Sequence, residues 1–300
     1  MKRAVSISLG SSSRDKAVEV TLLGEKVHIE RIGTDGDEEK AHRLFCEMDG
    51  KVDAFGVGGI DLGVHTPWRN YPLHSALKLV KDVRHTPYVD GSGLKETLEA
   101  RVMQQVEQAI GDVIRPKSVF LIAGITRYGM TMSFIEAGYS CVFGDLMSGL
   151  GIPIPIRSLK SLNRIARILL PVVGRMPISM LYPTGEKQME VIPKYEKYYL
   201  NNSVTAGDWL YIKRHMPPEM TGKVIVTNTT TPADVDFLKK RGVRYLITTT
   251  PVMEGRSFGT NLLEAALVAA SGKHRQLTKN EIEVLIDQLN LRPQIQEISP

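Results

Sequence analysis

The chain has 300 residues, room for two domains of ordinary size, and 42% of them are apolar, enough to bury a core in each. A formal charge of +5 favours small anionic molecules slightly and is too little for a nucleic-acid footprint. No apolar run approaches the roughly 20 residues of a membrane helix. The short apolar stretch behind Met1-Lys2-Arg3 is broken by Ser6 and Ser8, so a cytoplasmic protein without a membrane partner is expected.

In chain order, Val5, Ile7 and Leu9 alternate with serines and predict a strand over 4–9. The polar turn from Gly10 to Asp15 either cradles phosphate or, the commoner use, closes a hairpin. Strands are expected over 18–23 and 26–32, and a helix over 37–48 with acids in its first turn. A buried strand over 52–57 ends in Gly58-Gly59, which implies close backbone packing or a ligand at the strand end. An amphipathic helix over 73–83 and a short strand over 87–89 lead to Asp90-Gly91-Ser92-Gly93-Leu94-Lys95, followed by a helix over 96–110. In one reading Lys95 exchanges a proton with a substrate hydroxyl and Asp90 tunes it; in the other Asp90 or Ser92 caps the helix. The two cysteines, Cys46 and Cys141, fall on a helix and a buried strand without metal-ligand spacing, so reduced buried thiols and no metal are expected.

Residues 119–145 carry the strongest pattern. An apolar strand over 119–123 meets Gly124-Ile125-Thr126-Arg127-Tyr128-Gly129, then a short helix from Met130, then a second strand over 139–143 closed by Gly144-Asp145. Glycines permit a sharp strand-to-helix turn, the helix N-terminus suits a pyrophosphate, and Asp145 lies about 20 residues on, where an acid meets a ribose. Thr126 stands where the middle glycine of the dinucleotide pattern belongs, and Arg127 adds a cation beside the phosphates. A plain structural turn and an S-adenosylmethionine site are the alternatives.

A helix over 158–170 bears a basic stripe, Arg157, Lys160, Arg164 and Arg167, which is either a solvated face or an anion reader. Residues 171–203 are irregular and tyrosine-rich, including Tyr182 and a polar loop over 184–188. Alternation then resumes. A helix over 208–214, a strand over 223–227 ending in Asn228-Thr229-Thr230, a helix over 233–241 and a strand over 244–248 ending in Thr249-Thr250 are expected, with the threonine turns offering hydroxyls to a ribose or nicotinamide. A small-residue helix over 262–270 follows, and Thr278 with Glu281 opens a terminal helix left to pack on the first domain or form a homodimer contact.

The fold class expected is α/β, with two α/β domains, the carboxy-terminal one a Rossmann-like, mostly parallel doubly wound sheet. The boundaries expected are a substrate domain over 1–115, a nucleotide domain over 116–272 and a helical extension over 273–300. With GITRYGM at 124–130, VTNTTTP at 226–232, and TTTP with GRSFGTN within 248–261, the chain resembles quinate or shikimate dehydrogenase-like bacterial proteins. The resemblance implies an NAD-dependent oxidoreductase, with NADP as the alternative cofactor, acting on a hydroxyl or ketone of a small anionic substrate. The cofactor would lie on Gly124, Thr126, Arg127, Tyr128, Gly129, Met130, Asp145, Asn228, Thr229, Thr230 and Thr250, with Lys95 and Asp90 catalytic by analogy. The competing class is a non-catalytic nucleotide or metabolite sensor.

Overall fold

The computed structural model describes residues 1–181, 190–253 and 256–299; Tyr182, the loop over 184–188 and Gly255 lie outside them. The chain divides into two compact units, each assembled from three stretches. Unit 1 comprises Met1–Leu94, Ile168–Gln188 and Gly259–Asn290, and unit 2 comprises Lys95–Arg167, Met189–Phe258 and Leu291–Pro300. The expected cuts at 115/116 and 272/273 differ from this because they assume one core is finished before the next begins. Instead a late helix completes unit 1 and a late strand completes unit 2.

Unit 1 is built on β1 (Lys2–Ser8), β2 (Lys16–Leu22), β3 (Glu25–Gly33), β4 (Ala54–Gly58) and β7 (Tyr88–Val89), in the order β2-β3-β1-β4-β7. A small hairpin, β5 (Gly63–Thr66) with β6 (Arg69–Pro72), stands apart from that sheet. β1 takes β3 and β4 as parallel neighbours, while β2 and β3 pair antiparallel. The turn after β1 is therefore a crossover and not a hairpin loop. The helix Glu38–Met48 starts where expected, Asp37 accepting from the Lys40 N–H, and buries Ala41 and Phe45 against Val5, Ile7, Phe55 and Val57. The expected helix over 73–83 shortens to His74–Leu77 and a 3-10 turn, Lys78–Val80.

Helix Thr260–Ser271 packs on β1, β3 and β4 with Ala265, Ala266, Ala269 and Ala270 all buried. The strand glycines make room for it. A Cβ on Gly56 would sit 2.9 Å from the Asn261 carbonyl oxygen, and one on Gly58 2.8 Å from the Asn261 amide nitrogen. The same helix explains the loop after β7: a Cβ on Gly91 would meet Thr260 Oγ1 at 2.5 Å, and the Leu94 N–H donates to Glu264 at 3.2 Å. Both capping-box bonds of helix Lys279–Gln288 are present at Thr278 and Glu281.

Unit 2 holds β8 (Ser118–Leu121), β9 (Ser140–Phe143), β10 (Val204–Gly207), β11 (Val224–Thr227), β12 (Tyr245–Thr248) and β15 (Gln294–Glu297), in the order β15-β12-β11-β10-β8-β9. A two-stranded pair, β13 (Val252–Met253) with β14 (Arg256–Ser257), follows β12. All pairings in the six-stranded sheet are parallel except the β12–β15 edge. Sequence patterning located β8, β9, β11 and β12. It missed β10, a four-residue strand with two small residues, and β15, whose side chains are only partly buried. The expected helix over 96–110 is broken: a short helix Ser92–Glu96, a 3-10 turn Glu99–Arg101, then a helix Val102–Ile110. Phe120, Ile122, Tyr199, Trp209, Ile225 and Leu246 fill the core beneath the sheet. Among the described residues, no helix is long and apolar enough to cross a membrane.

Candidate functional site

The order of the unit 2 sheet fixes where a site can form. The chain leaves β8 for β9 on one side and later returns to place β10 on the other, so crossovers depart in opposite directions from between β8 and β10. Loops splay apart at such a switch point and leave a crevice beyond the carboxyl ends of the strands. The residues just past β8 are Ile122 to Arg127, and the residue just past β10 is Asp208.

Those two ends are joined by charge. Arg127, 3% exposed, precedes helix Tyr128–Glu136 and sends one guanidinium nitrogen to Asp208 Oδ2 at 2.8 Å and the other to Glu99 Oε1. Asn228 Nδ2 donates to the same Asp208 oxygen at 3.2 Å, and Asp208 Oδ1 accepts from the Leu210 N–H at 3.0 Å, capping the next helix. Thr249 donates to Glu99 Oε1 at 3.4 Å, and Thr250 ties its hydroxyl to the Asn228 carbonyl at 2.8 Å. Glu99 Oε2 is buried and has no hydrogen-bond partner among the described residues. Burial alone pushes the Asp208 carboxyl up. The Arg127 charge and hydrogen bond, the Leu210 N–H and the Lys95 charge outweigh it and hold Asp208 below the usual carboxylate range. Asp208 therefore stays ionised, and with its side chain 26% exposed it is the one of the three charged groups that solvent reaches.

The expected phosphate turn is built differently from the pattern that suggested it. The Gly124 and Ile125 N–H groups donate to the two oxygens of Asp145, at 3.1 and 2.8 Å. Asp145 thus folds back onto the turn and fills the position an anion would take, instead of reaching toward a ribose. The threonines and glycines here are also spent internally. Thr126 donates to the Ala123 carbonyl at 3.3 Å, and Thr131 to the Gly124 carbonyl at 2.9 Å. A Cβ on Gly129 would lie 2.1 Å from the Lys95 carbonyl oxygen, so this glycine serves close backbone approach. Met130 is fully buried core, and Tyr128 accepts from Asn163.

Of the expected cofactor residues, the structure gathers Arg127, Asn228 and Thr250 into the charged cluster, with Thr229 and Thr230 partly exposed beside Asn228. Asp90 and Lys95 fall in different units. The Asp90 carboxylate accepts from the Leu62 N–H at 2.7 Å, the Ser92 N–H at 3.0 Å and the Ser92 hydroxyl at 2.5 Å, an anchoring role. Arg157, Lys160, Arg164 and Arg167 are exposed. Cys141 is partly buried, and burial pushes its thiol up to about 11; Cys46, expected to be buried, is exposed. Sequence reasoning missed Glu99 and Asp208 as site residues. Glu99 carries a usable signal, an acid placed among Leu98, Val102 and Met103, where a buried face was expected.

The family model for a domain of unknown function, DUF8754, matches residues 93–298, and a second, DUF8753, matches residues 3–90. No curated protein matches the chain. Solved structures that align include a galactofuranose binding protein (11% identity, 99% of this chain and 95% of the other, TM-score 0.37). A glucose-galactose binding protein from Geobacillus stearothermophilus aligns at 9% identity over 99% and 97%, with TM-score 0.37. A periplasmic solute binding protein of an ABC transporter from Actinobacillus succinogenes 130z with bound D-allose aligns at 12% over 99% and 98%, with TM-score 0.34. At these scores the alignments carry no argument about activity. The two family models are of unknown function, and none of these solved structures is a quinate or shikimate dehydrogenase. The resemblance and the oxidoreductase reading built on it are corrected accordingly, and the turn filled by Asp145 removes the feature that first suggested them.

Proposed function

We propose that this chain, which belongs to the DUF8754 family, binds a small hydroxyl-rich molecule at the switch point of unit 2 and does not transform it. The observation that carries this reading is the Arg127–Asp208 ion pair across the ends of β8 and β10, with Asn228 on the same carboxylate. Burying charges is costly unless they are paired and oriented. Here the arrangement leaves one ionised, immobilised carboxylate partly open to solvent. A fixed carboxylate beside an amide and threonine hydroxyls is matched to groups that both donate and accept, as sugar hydroxyls do. Holding carboxylate, guanidinium and amide in place by their mutual hydrogen bonds at strand ends also lowers the ordering cost of binding. The aligned solved structures bind sugars, but the reading rests on the site.

The test is isothermal titration calorimetry with monosaccharides, disaccharides and sugar acids, with NAD and NADP as competing arms. One hydroxyl-rich ligand is expected to bind with 1:1 stoichiometry, and Asp208→Asn, which keeps an N-capping side chain, to weaken it by about tenfold or more. Absence of binding across the sugar panel overturns the reading. So does NAD binding that Asp208→Asn weakens, or consumption of the bound ligand.

A further inference from the structure

We propose that unit 1 carries a zinc-class metal site formed by His42, Cys46 and Asp82, separate from the cluster in unit 2. His42 and Cys46 are four residues apart on helix Glu38–Met48, and so share one face. Asp82 follows the 3-10 turn Lys78–Val80 that packs against that helix. One ligand atom from each of the three lies within 4.8 Å of the others.

The two separations made by His42 are those of a coordination shell. His42 Nε2 is 3.2 Å from Asp82 Oδ2 and 3.8 Å from Cys46 Sγ. Around tetrahedral zinc, bonds of about 2.0–2.1 Å to nitrogen and oxygen and about 2.3 Å to sulfur put nitrogen about 3.3 Å from oxygen and about 3.6 Å from sulfur. The two observed separations fall beside those edges. His42 is also oriented as metal-bound histidines are: its Nδ1 lies 3.0 Å from the Leu79 carbonyl oxygen and donates to it, which presents Nε2 toward the other two ligands. A backbone carbonyl in that place fixes both tautomer and ring plane.

The donor set selects the ion. Thiolate and imidazole favour a borderline-soft cation such as Zn²⁺ over Mg²⁺ or Ca²⁺, which take oxygen shells. Three protein ligands leave a fourth position for water or an added ligand. The neighbouring cations are loosely held, Lys81 at 3.9 Å and Arg84 at 3.8 Å from Asp82, with exposed side chains that a bound ion can displace. A metal here links the helix Glu38–Met48 to the segment around Asp82 and stabilises unit 1 by mass action.

The experiment uses the full-length protein, freed of metal by chelation, titrated with Co²⁺ and then with Zn²⁺. One equivalent of Co²⁺ is expected to bind with a near-ultraviolet thiolate-to-cobalt charge-transfer band, which Zn²⁺ abolishes by displacement. Cys46→Ser removes the band, Cys141→Ser keeps it, and Asp82→Asn weakens Zn²⁺ binding by about tenfold or more. Cys46 and Asp82 are exposed, so these variants fold, and circular dichroism confirms it. A band that is missing at saturating Co²⁺, or that survives Cys46→Ser, overturns the proposal. Equal Zn²⁺ affinity in wild type and Asp82→Asn overturns the assignment of the third ligand, and with it the three-residue site.

Discussion

The two units repeat one arrangement with different contents. In each, the first strand lies between the next two strands that run parallel to it: β1 between β3 and β4, β8 between β9 and β10. In each, an aspartate just past the first of those parallel neighbours, β3 or β9, folds back to cap the turn after the first strand. Asp35 accepts from the Ser12 N–H at 2.7 Å, and Asp145 accepts from Gly124 and Ile125. The difference is burial. Asp35 is exposed, and its hydrogen bonds from Ser12 hold it below the usual range. Burial pushes Asp145 up to about 6 against the pull of its two N–H donors. Beyond the switch point the contrast widens. Arg31 in unit 1 pairs with the more exposed Asp15 at 2.6 Å, whereas Arg127 in unit 2 is enclosed with Glu99 and Asp208. The same topology thus yields a solvated turn in one unit and an enclosed charged cluster in the other.

The comparison breaks most readily at Arg127. Arg127→Ala leaves the buried Glu99 and the partly exposed Asp208 without their cation and is expected to cost about 3 kcal/mol or more, read from urea unfolding. Arg31→Ala in unit 1 should cost far less, since its partner is partly solvated. Equal losses would show that the two arginines stand in similar environments.

The aspartates sharpen the comparison through sign. A native pKa raised above the unfolded value near 4 means the folded chain holds the proton more tightly. The Asp145 contribution is then most favourable below about pH 4 and falls as pH rises to about 6, by up to about 3 kcal/mol. Asp145→Asn should flatten stability across that window. Gly129→Ala, which drives a Cβ into the Lys95 carbonyl, should cost about 1–3 kcal/mol by the same assay. The smallest effect belongs to Asp35→Asn. Its depressed pKa contributes stability above about pH 4 that is lost as pH falls, so the variant should lose acid dependence of opposite sign to Asp145. Matching slopes in the two variants would erase the distinction between the turns.

Much of the local structure was legible. Apolar runs located β8, β9, β11 and β12, and the Thr278–Glu281 box located a helix start, because these depend on a few adjacent residues. β10 was not legible, for Val204-Thr205-Ala206-Gly207 is too short and small-sided to show a period, yet it forms one wall of the switch point. The site suffered from a different ambiguity. A glycine turn followed about 20 residues later by an acid reads as a nucleotide site, but spacing does not reveal whether the acid meets a ligand or the protein's own N–H groups. Likewise Gly58 announced close approach without saying to what; the answer is a helix some 200 residues later, which also crowds Gly56 and Gly91.

The sequence by itself determined the α/β class, most strands and helix starts, and the richness in strand-end threonines, since propensity and period act over a few residues. Only the tertiary structure decided which stretches share a core, that Asp145 faces inward, and that Glu99, Arg127 and Asp208 meet. Those outcomes depend on pairings between distant segments, where burial and the need to satisfy charges and N–H groups choose among partners that local patterning leaves equivalent.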